Sequence, residues 1–397
     1  MGHIEREAAR RAKQMTRAEV ILKAIQGEIT WIQAAGICGI SDRQMRRIKV
    51  RYERHGFDGL RDCRGSKPRR KSIPVRTIQR ICRLKRERYA DFSVKHFHEQ
   101  ITERHGIDIS YTWTLLVLQE AGIVAKAPGR GQYRRRRERR PMIGMLVHMD
   151  ASTHRWITGL DKYDLNVVLD DADGRILFAE FVPEEGLDST FSALRHVLRC
   201  YGRFCELYTD RGSHFCRTPV KGYGPADEQH GNVSRALKTL GIRQILGRSP
   251  QARGRSERCF RTIQKRLVPE LRLHKIRDYN AANRYLQEHF VPDFNSRFTV
   301  RPAQSESAFV KLVGADLDLV LSTQHERVVR NDGTVIFHRV ILQLPKLHGR
   351  ASYARCPVLV HELEAGNLAV SFQGRELARF TAKGDLIKRR PKPRRAA

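Results

Sequence analysis

The sequence predicts a multidomain protein of α and α/β class. Helix-turn-helix modules come first, then an α/β core built on a mixed sheet, then a small C-terminal β-barrel. Three observations carry this prediction. As far as Gly122 the apolar residues recur at helical spacing between Ser and Thr caps. From Pro141 the pattern changes to short apolar runs, three in a meander and then strands alternating with helices. From Val328 onward only short strands remain, separated by Gly- and Asn/Asp-containing turns.

Composition narrows the class of partner. The 397 residues include 75 Lys and Arg against 43 Asp and Glu, a net charge of +32. A charge of that size repels itself unless it meets a polyanion, and nucleic acid is the commonest one. At 40% hydrophobic the chain can still bury real cores. It contains no apolar run of about 18 residues and no signal-peptide or lipidation pattern. The expectation is therefore a cytoplasmic protein with no membrane partner. Eight cysteines are scattered without a Cys-x-x-Cys pair or zinc-finger spacing, which fits a reducing compartment.

In the first domain, 1–62, Thr16 can cap a helix with Val20, Ile21, Ala24 and Ile25 on one side. Thr30 caps a second helix, Trp31 to Ala35, and Gly36 to Gly39 supplies a tight turn. Ser41 and Asp42 cap a third, over 43–52, which carries Arg43, Arg46, Arg47, Lys49 and Arg51. Two helices, a turn and a cationic third helix make a helix-turn-helix pattern, whose last helix enters the major groove. Those five cations are the candidate DNA contacts; a three-helix bundle with a solvated basic face is the plainer alternative. Residues 63–140 begin with a linker rich in Gly, Pro and charge. A second helical module follows. Pro74 starts a helix to about Tyr89, Ser93 caps Val94 to Arg104, and Ser110 caps Tyr111 to Glu120. Its last helix is more apolar than basic. The arm from Lys126 to Arg140 cannot bury itself and is expected to lie extended on DNA or to act as a solvated tether.

Residues 141–300 form the expected core. Ile143–Asp150 reads as a strand that Trp156 and Ile157 continue or neighbour. Leu165–Leu169 and Ile176–Phe181 are strands joined by a hairpin turn at Asp170–Gly174. Helix Ser189–Cys200, strand Phe204–Thr209, helix Ser234–Leu240 and strand Ile242–Leu246 come next. A further helix starts near Glu257, with Phe260, Ile263 and Leu267 on one side, and another spans Asn280 to Glu288. A meander followed by alternating helix and strand is the order of a mixed sheet with helices on both faces. Residues 301–385 are expected to form the β-barrel. Val328–His338 reads as a hairpin turning at Asn331-Asp-Gly333. Cys356–His361, Leu368–Phe372 and Glu376–Phe380 add short strands. A basic tail covers 386–397.

Three acids stand where a catalytic metal ligand would. Asp150 follows Met145–Met149 and Asp210 follows Leu207–Thr209, both apolar runs that read as buried strands. Glu257 sits at the start of its helix. An acid at the end of a buried strand has apolar neighbours below it and open space above. Asp161, Asp188, Asp227 and Glu228 lack that setting. Asp188 reads as a helix cap, Asp161 as a turn residue, and the other two lie in a Gly/Pro-rich segment. His148 and His214 flank the acids and read as packed or surface side chains before proton carriers.

Asp150-Ala-Ser, Thr209-Asp-Arg-Gly-Ser-His214 and Pro250-Gln-Ala-Arg-Gly-Arg-Ser-Glu257 resemble the catalytic core of DDE transposases and retroviral-type integrases. The domain order most resembles the ISNCY group of bacterial insertion-sequence transposases, over about residues 16–380. The resemblance implies an RNase H-like core with Asp150, Asp210 and Glu257 as its three catalytic, metal-binding acids. It also implies two Mg²⁺ ions, with Mn²⁺ able to substitute, and double-stranded DNA as partner, both element ends and target. The chemistry agrees, because two such ions about 3.5–4 Å apart stabilise the attacking and leaving oxygens of an in-line displacement. Mg²⁺ takes a few carboxylates plus phosphate and water. Arg261 and Lys265, one and two turns beyond Glu257, are candidate phosphate grips, as are Arg253 and Arg255. A solvated face is the plainer reading of these four. One departure is the insertion at 215–230, which lengthens the Asp210–Glu257 spacing beyond the family's usual one. A loop insertion of this kind costs little closure entropy.

The expected function is that of a transposase. It binds the terminal inverted repeats of its element, cleaves with metal-activated water and joins the resulting 3′-hydroxyl to target DNA. Bringing two ends together calls for a homodimer or larger assembly. The rival readings are a catalytically inactive DNA-binding regulator and an RNase H-type nuclease acting on hybrids. Retention of all three acids weighs against the first, and the helix-turn-helix modules weigh against the second.

Overall fold

The computed structural model describes residues 18–60, 73–126, 138–215, 231–247, 254–346 and 352–387. Thr16, Asp227, Glu228, Arg253, most of the basic arm and the basic tail lie outside the described residues, as does the side chain of Arg255. The chain divides into two compact units, 1–81 and 82–397.

In the first unit, α1 (18–25), α2 (Trp31–Ile37) and α3 (Asp42–His55) enclose a small core of Val20, Ile21, Ala24, Ala34, Ala35, Met45 and Ile48. The caps fall where the sequence places them. Thr30 Oγ1 accepts from Gln33 N at 3.2 Å while Thr30 N donates to Gln33 Oε1 at 2.8 Å, a reciprocal box worth about 1 kcal/mol. Ser41 Oγ accepts from Gln44 N. α2 runs two residues past its expected end, and the reversal is left to Gly39, at φ +62°. A short 3₁₀ segment, Gly56–Leu60, then folds back on α3 so closely that a Cβ on Gly59 would lie 2.3 Å from the Arg51 carbonyl oxygen.

α4 (Val75–Glu87) leads into the second unit, where α5 (Val94–His105) and α6 (Tyr111–Glu120) start at Ser93 and Ser110 caps. The core sheet contains β1 (Leu146–His154), β2 (Tyr163–Asp170), β3 (Ile176–Val182), β4 (Glu206–Thr209) and β5 (Arg243–Leu246). Its order is β3-β2-β1-β4-β5. The first three strands pair antiparallel, and β4 and β5 run parallel to β1. This is the RNase H-like arrangement that the resemblance implies. α7 (Leu187–Cys200) and α8 (Asn232–Leu240) bury one face around Val147, Met149 and Leu207. α9 (Gly254–Leu273) packs Phe260, Ile263, Leu267 and Leu271 onto the other, against Leu165, Val167 and Leu169. No helix among the described residues is long and apolar enough to cross a membrane.

Two expectations are corrected here. β1 does not end at Asp150 but runs on to His154, because β2 accompanies it from Val147↔Asp170 to His154↔Tyr163. Asp188 does not cap α7; Gly186 does, and its N–H donates to Ser189 Oγ at 3.0 Å.

Among the described residues the C-terminal strands do not close into a barrel. β6 (Thr323–Val328), β9 (Pro357–Glu362), β10 (Leu368–Phe372) and β11 (Arg375–Phe380) form a sheet in the order β11-β10-β9-β6, and β7 (Thr334–Phe337) pairs only with β8 (Val340–Gln343). Strands this short bury their apolar face beneath a second layer instead of curling round. Val335, Phe337 and Leu342 of the hairpin share one core with Val358, Val360, Val370 and Phe380. The expected Val328–His338 hairpin is also corrected. A turn does form at 331–333, but β6 is taken up by β9, and the hairpin proper joins β7 to β8 through His338, at φ +50°.

The outer edge of β3 would expose unpaired backbone groups, a hazard for any sheet. Here a helical run covers it, α10 (Tyr279–Tyr285), a π-turn (Leu286–Phe290) and α11 (Val291–Phe298). Asn283 accepts from Phe181 N at 2.7 Å and donates to Phe181 O at 3.0 Å. Asn295 does the same for Ile176, at 2.8 and 2.9 Å, and Gln287 donates to the Ala179 carbonyl. These amides act as a surrogate strand. Asn295→Ala should therefore destabilise the chain by about 1–3 kcal/mol in denaturant unfolding, because it strands two backbone groups. An unchanged midpoint and slope would show that water replaces the amide.

Candidate active site

The parallel pairing of β1 with β4 sets Val147 opposite Leu207 and His148 opposite Tyr208. Side chains alternate with a period of two, so continuing this register by two residues projects Asp150 and Asp210 onto the same face. β4 stops at Thr209, and the chain turns away at Asp210. Gly212 N donates to Asp210 Oδ1 at 2.8 Å, and a Cβ on Gly212 would come within 3.1 Å of that oxygen and 2.9 Å of the His214 ring. The glycine of the Asp-Arg-Gly motif thus leaves room for the Asp210 carboxylate and the His214 ring to sit close to the turn. Asp150 Oδ1 accepts from Ala151 N at 3.1 Å, and both carboxylates are half-buried.

α9 runs alongside β1 in the same direction. Gln264 Nε2 donates to Ser152 Oγ at 3.0 Å, and further along Val268 and Leu271 share a pocket with Trp156 and Ile157. The N-terminal end of α9 is therefore directed back toward Asp150. Glu257 precedes Gln264 by two turns and returns to the same side of the helix. It lies in the first turn of α9 and is exposed. Register and helical phase thus direct Asp150 and Asp210 toward the face of the sheet that α9 covers, with Glu257 in the first turn of that helix. They are not drawn into a closed cage. Among the described residues no three His, Cys, Asp or Glu side chains converge to hold a metal. The donor set itself, three hard carboxylates, suits Mg²⁺ or Mn²⁺.

Beneath the acids lies a buried polar layer. His148 is 3% exposed, with Nε2 2.7 Å from Asp171 Oδ1. Asp171 Oδ2 accepts from Arg140 N at 2.8 Å. Asp170 accepts from Gly144 N at 2.7 Å and from Ala172 N at 2.8 Å, so the turn after β2 anchors the segment leading into β1. Burial pushes the Asp170 carboxyl up to about 6, although both amides favour its charged form. His148 is accordingly a packed residue. His214 lies tilted against Phe215 with ring centroids 4.0 Å apart, and its Nε2 is 3.5 Å from Glu185. Sequence reasoning missed the His148–Asp171 pair and the Gln264–Ser152 bond, since both depend on strand and helix register between distant segments.

The predicted DNA contacts divide by exposure. Arg43, Arg46, Arg47 and Arg51 project from α3 opposite the buried Met45 and Ile48. Lys49 is partly engaged, 5.0 Å from the Trp31 ring centroid and 3.8 Å from Glu53. On α9, Arg261 and Lys265 are exposed, and Arg258, which the sequence reading passed over, joins them on the same stripe. A cavity of about 830 Å³ between the end of α7 and residues 311–318 is not lined by any of the three acids, which stand on open surface.

Comparison with known proteins adds the following. A family described as a helix-turn-helix domain matches residues 16–72. The chain is 31% identical over 370 residues to y4bF of Sinorhizobium fredii (strain NBRC 101917 / NGR234), a protein named as a transposase, covering 92% of this chain and 80% of that one. It is 28% identical over 351 residues to the transposase for insertion sequence IS1202 of Streptococcus pneumoniae, covering 79% of this chain and 74% of that one. Among solved structures, the simian T-cell lymphotropic virus intasome in complex with PP2A regulatory subunit B56 gamma aligns at 16% identity and a TM-score of 0.32. That alignment covers 79% of this chain and 100% of the matched chain. The HTLV-2 integrase catalytic core domain in complex with magnesium aligns at 17% identity and a TM-score of 0.28, covering 36% and 85%.

The buried Asp170 carboxyl yields a pH test. Its folded value of about 6 exceeds the ordinary 3.8, so the folded chain binds this proton more tightly than the unfolded chain. The associated stability is present at low pH and is lost as pH rises through about 6. Between pH 7 and pH 4 the unfolding free energy of wild type relative to Asp170→Asn should rise by about 2 kcal/mol. A pH-independent difference would contradict the buried carboxyl.

Proposed function

The chain belongs to the transposase family, and on that footing we propose that it cuts and joins DNA where Asp150, Asp210 and Glu257 align. The N-terminal helix-turn-helix domain holds the ends of its own element. The observation that supports this reading is the β1–β4 register, which sets His148 opposite Tyr208 two residues before Asp150 and Asp210, on the face where Gln264 of α9 meets Ser152. The three carboxylates would hold a pair of divalent cations. Once bound, these supply Lewis-acid stabilisation of charge on the phosphate under attack.

The chain's own residues do the rest. The turn at Gly212 fixes one oxygen of Asp210, and the Ala151 amide fixes one of Asp150, so both carboxylates are oriented before DNA arrives. Arg258, Arg261 and Lys265, exposed along α9 beyond Glu257, grip phosphates flanking the cleaved bond, and Arg253 and Arg255 are assigned the same role from sequence. In the first step a water oxygen bonds to phosphorus and the bond to the 3′-oxygen breaks, leaving a 3′-hydroxyl and a 5′-phosphate. In the second, that hydroxyl displaces the 3′-oxygen of a target phosphodiester. No protein nucleophile is required. Juxtaposing two ends makes a dimer or larger assembly on DNA the working form.

Asp210→Asn should leave affinity for an element-end duplex unchanged while lowering cleavage and strand transfer by about 10²–10³-fold or more. Wild-type rates in the variant would remove Asp210 from the chemistry. If wild type were equally inert while still binding ends, the chain would be a regulator. A second outcome concerns α3. Each phosphate contact contributes about one to the salt slope of binding, so Arg46→Ala with Arg47→Ala should flatten log Kd against log salt by about 2. An unaltered slope would make that face merely solvated.

A further inference from the structure

α9 contains a proline, Pro269, well inside its 20 residues. Proline has no N–H, so the carbonyl of Lys265 loses its usual helical donor, and the ladder is weakest between Lys265 and Pro269. Glu257 lies N-terminal to that break by about 12 Å of helix at about 1.5 Å per residue. A small change of angle at the break therefore becomes a large displacement of the acid.

Three side chains flank the break, and each is held by the module at 82–126. Arg266, 5% exposed, donates through Nη2 to Glu99 Oε2 at 2.6 Å and lies over the Phe298 ring. Glu270, also buried, places Oε1 2.8 Å from Nε2 of His96, and its Oε2 accepts from Tyr285 OH at 2.8 Å. His96 is 1% exposed and stacks on Phe92. Arg272 donates to both oxygens of Asp91, at 2.6 and 2.8 Å, and to the Arg88 carbonyl at 3.0 Å. Anchors thus stand on both sides of Pro269, and all lead to α5 or the loop before it. The last helix of the same module, α6, carries no Lys or Arg and is poorly suited to gripping phosphates.

We infer that this second helical module is a splint for α9, and that Asp91, His96 and Glu99 are positioning residues that hold Glu257 on line across the proline break. The inference rests on the role given to Glu257 above, but its mechanical part can be read separately.

The test uses the full-length chain and Arg272→Glu, a position whose side chain is exposed. Two compensated variants accompany it, Asp91→Arg with Arg272→Glu to restore the pair in reverse, and Pro269→Ala with Arg272→Glu to restore the helical ladder. Hydrogen exchange over residues 258–265, measured without DNA, should quicken about tenfold in Arg272→Glu, with β2 exchange unchanged. The rate of end cleavage at saturating DNA should fall about tenfold while Kd for the end stays within about twofold. Both compensated variants should recover both properties. Wild-type exchange over 258–265 in Arg272→Glu would overturn the splint, as would failure of the charge swap to restore it. If exchange behaves as stated but wild type cleaves nothing, the splint stands and the proposed function fails.

Discussion

The parallel pairing of β1 with β4 is the interaction on which the rest depends. Residues 146–148 and 206–208 are separated in sequence by β2, β3 and α7, yet they lie side by side in the sheet. Their ladder fixes which faces the side chains take. Val147, Met149 and Leu207 go to the core under α7 and α8, which leaves His148, Asp150, Tyr208 and Asp210 on the opposite side. A slip of one residue would exchange these sets, burying the acids and exposing the core. The apolar runs that stabilise the sheet are thus also what aims the carboxylates.

The net charge of +32 is not spent in one way. Some arginines tie distant segments together. Arg140 and Arg243 both meet Glu206, Arg195 reaches Asp318 and Glu364, and Arg379 contacts Asp316, Asp318 and Glu376. Only Arg195 among these is buried and therefore costly to strand, whereas the exposed pairs of Arg140 and Arg243 contribute little stability. Those of Arg195 and Arg379 tie α7 and β11 to residues 316–318. Another set stays exposed on α3 and on the α9 stripe, where its long-range field can steer a polyanion. Composition alone predicts the partner but does not separate the two sets.

Local chemistry was readable in advance. The Ser and Thr caps at Thr30, Ser41, Ser93 and Ser110 start their helices as expected, because a cap acts on amides three residues away. The order of core strands followed from periodicity. What could not be read were pairings made at long range. β1 outlasts its apolar run because β2 supplies a partner through its polar half. β6 leaves the Asn331 turn to join β9, and the short C-terminal strands layer where closure was expected. Asn283 and Asn295 look like ordinary helix-surface amides in sequence, yet they complete the β3 edge. Of the site, the two Asp motifs stood out in the sequence because each follows an apolar strand, whereas the hold on α9 at His96 and Glu270 had no local signal.

The most direct measurement is anomalous scattering from Mn²⁺ in crystals of the full chain bound to an element-end duplex. One or two manganese peaks ligated by Asp150, Asp210 and Glu257 are predicted. Manganese held by a different set of acids, or Glu257 turned away from the other two in that complex, would contradict the mechanism.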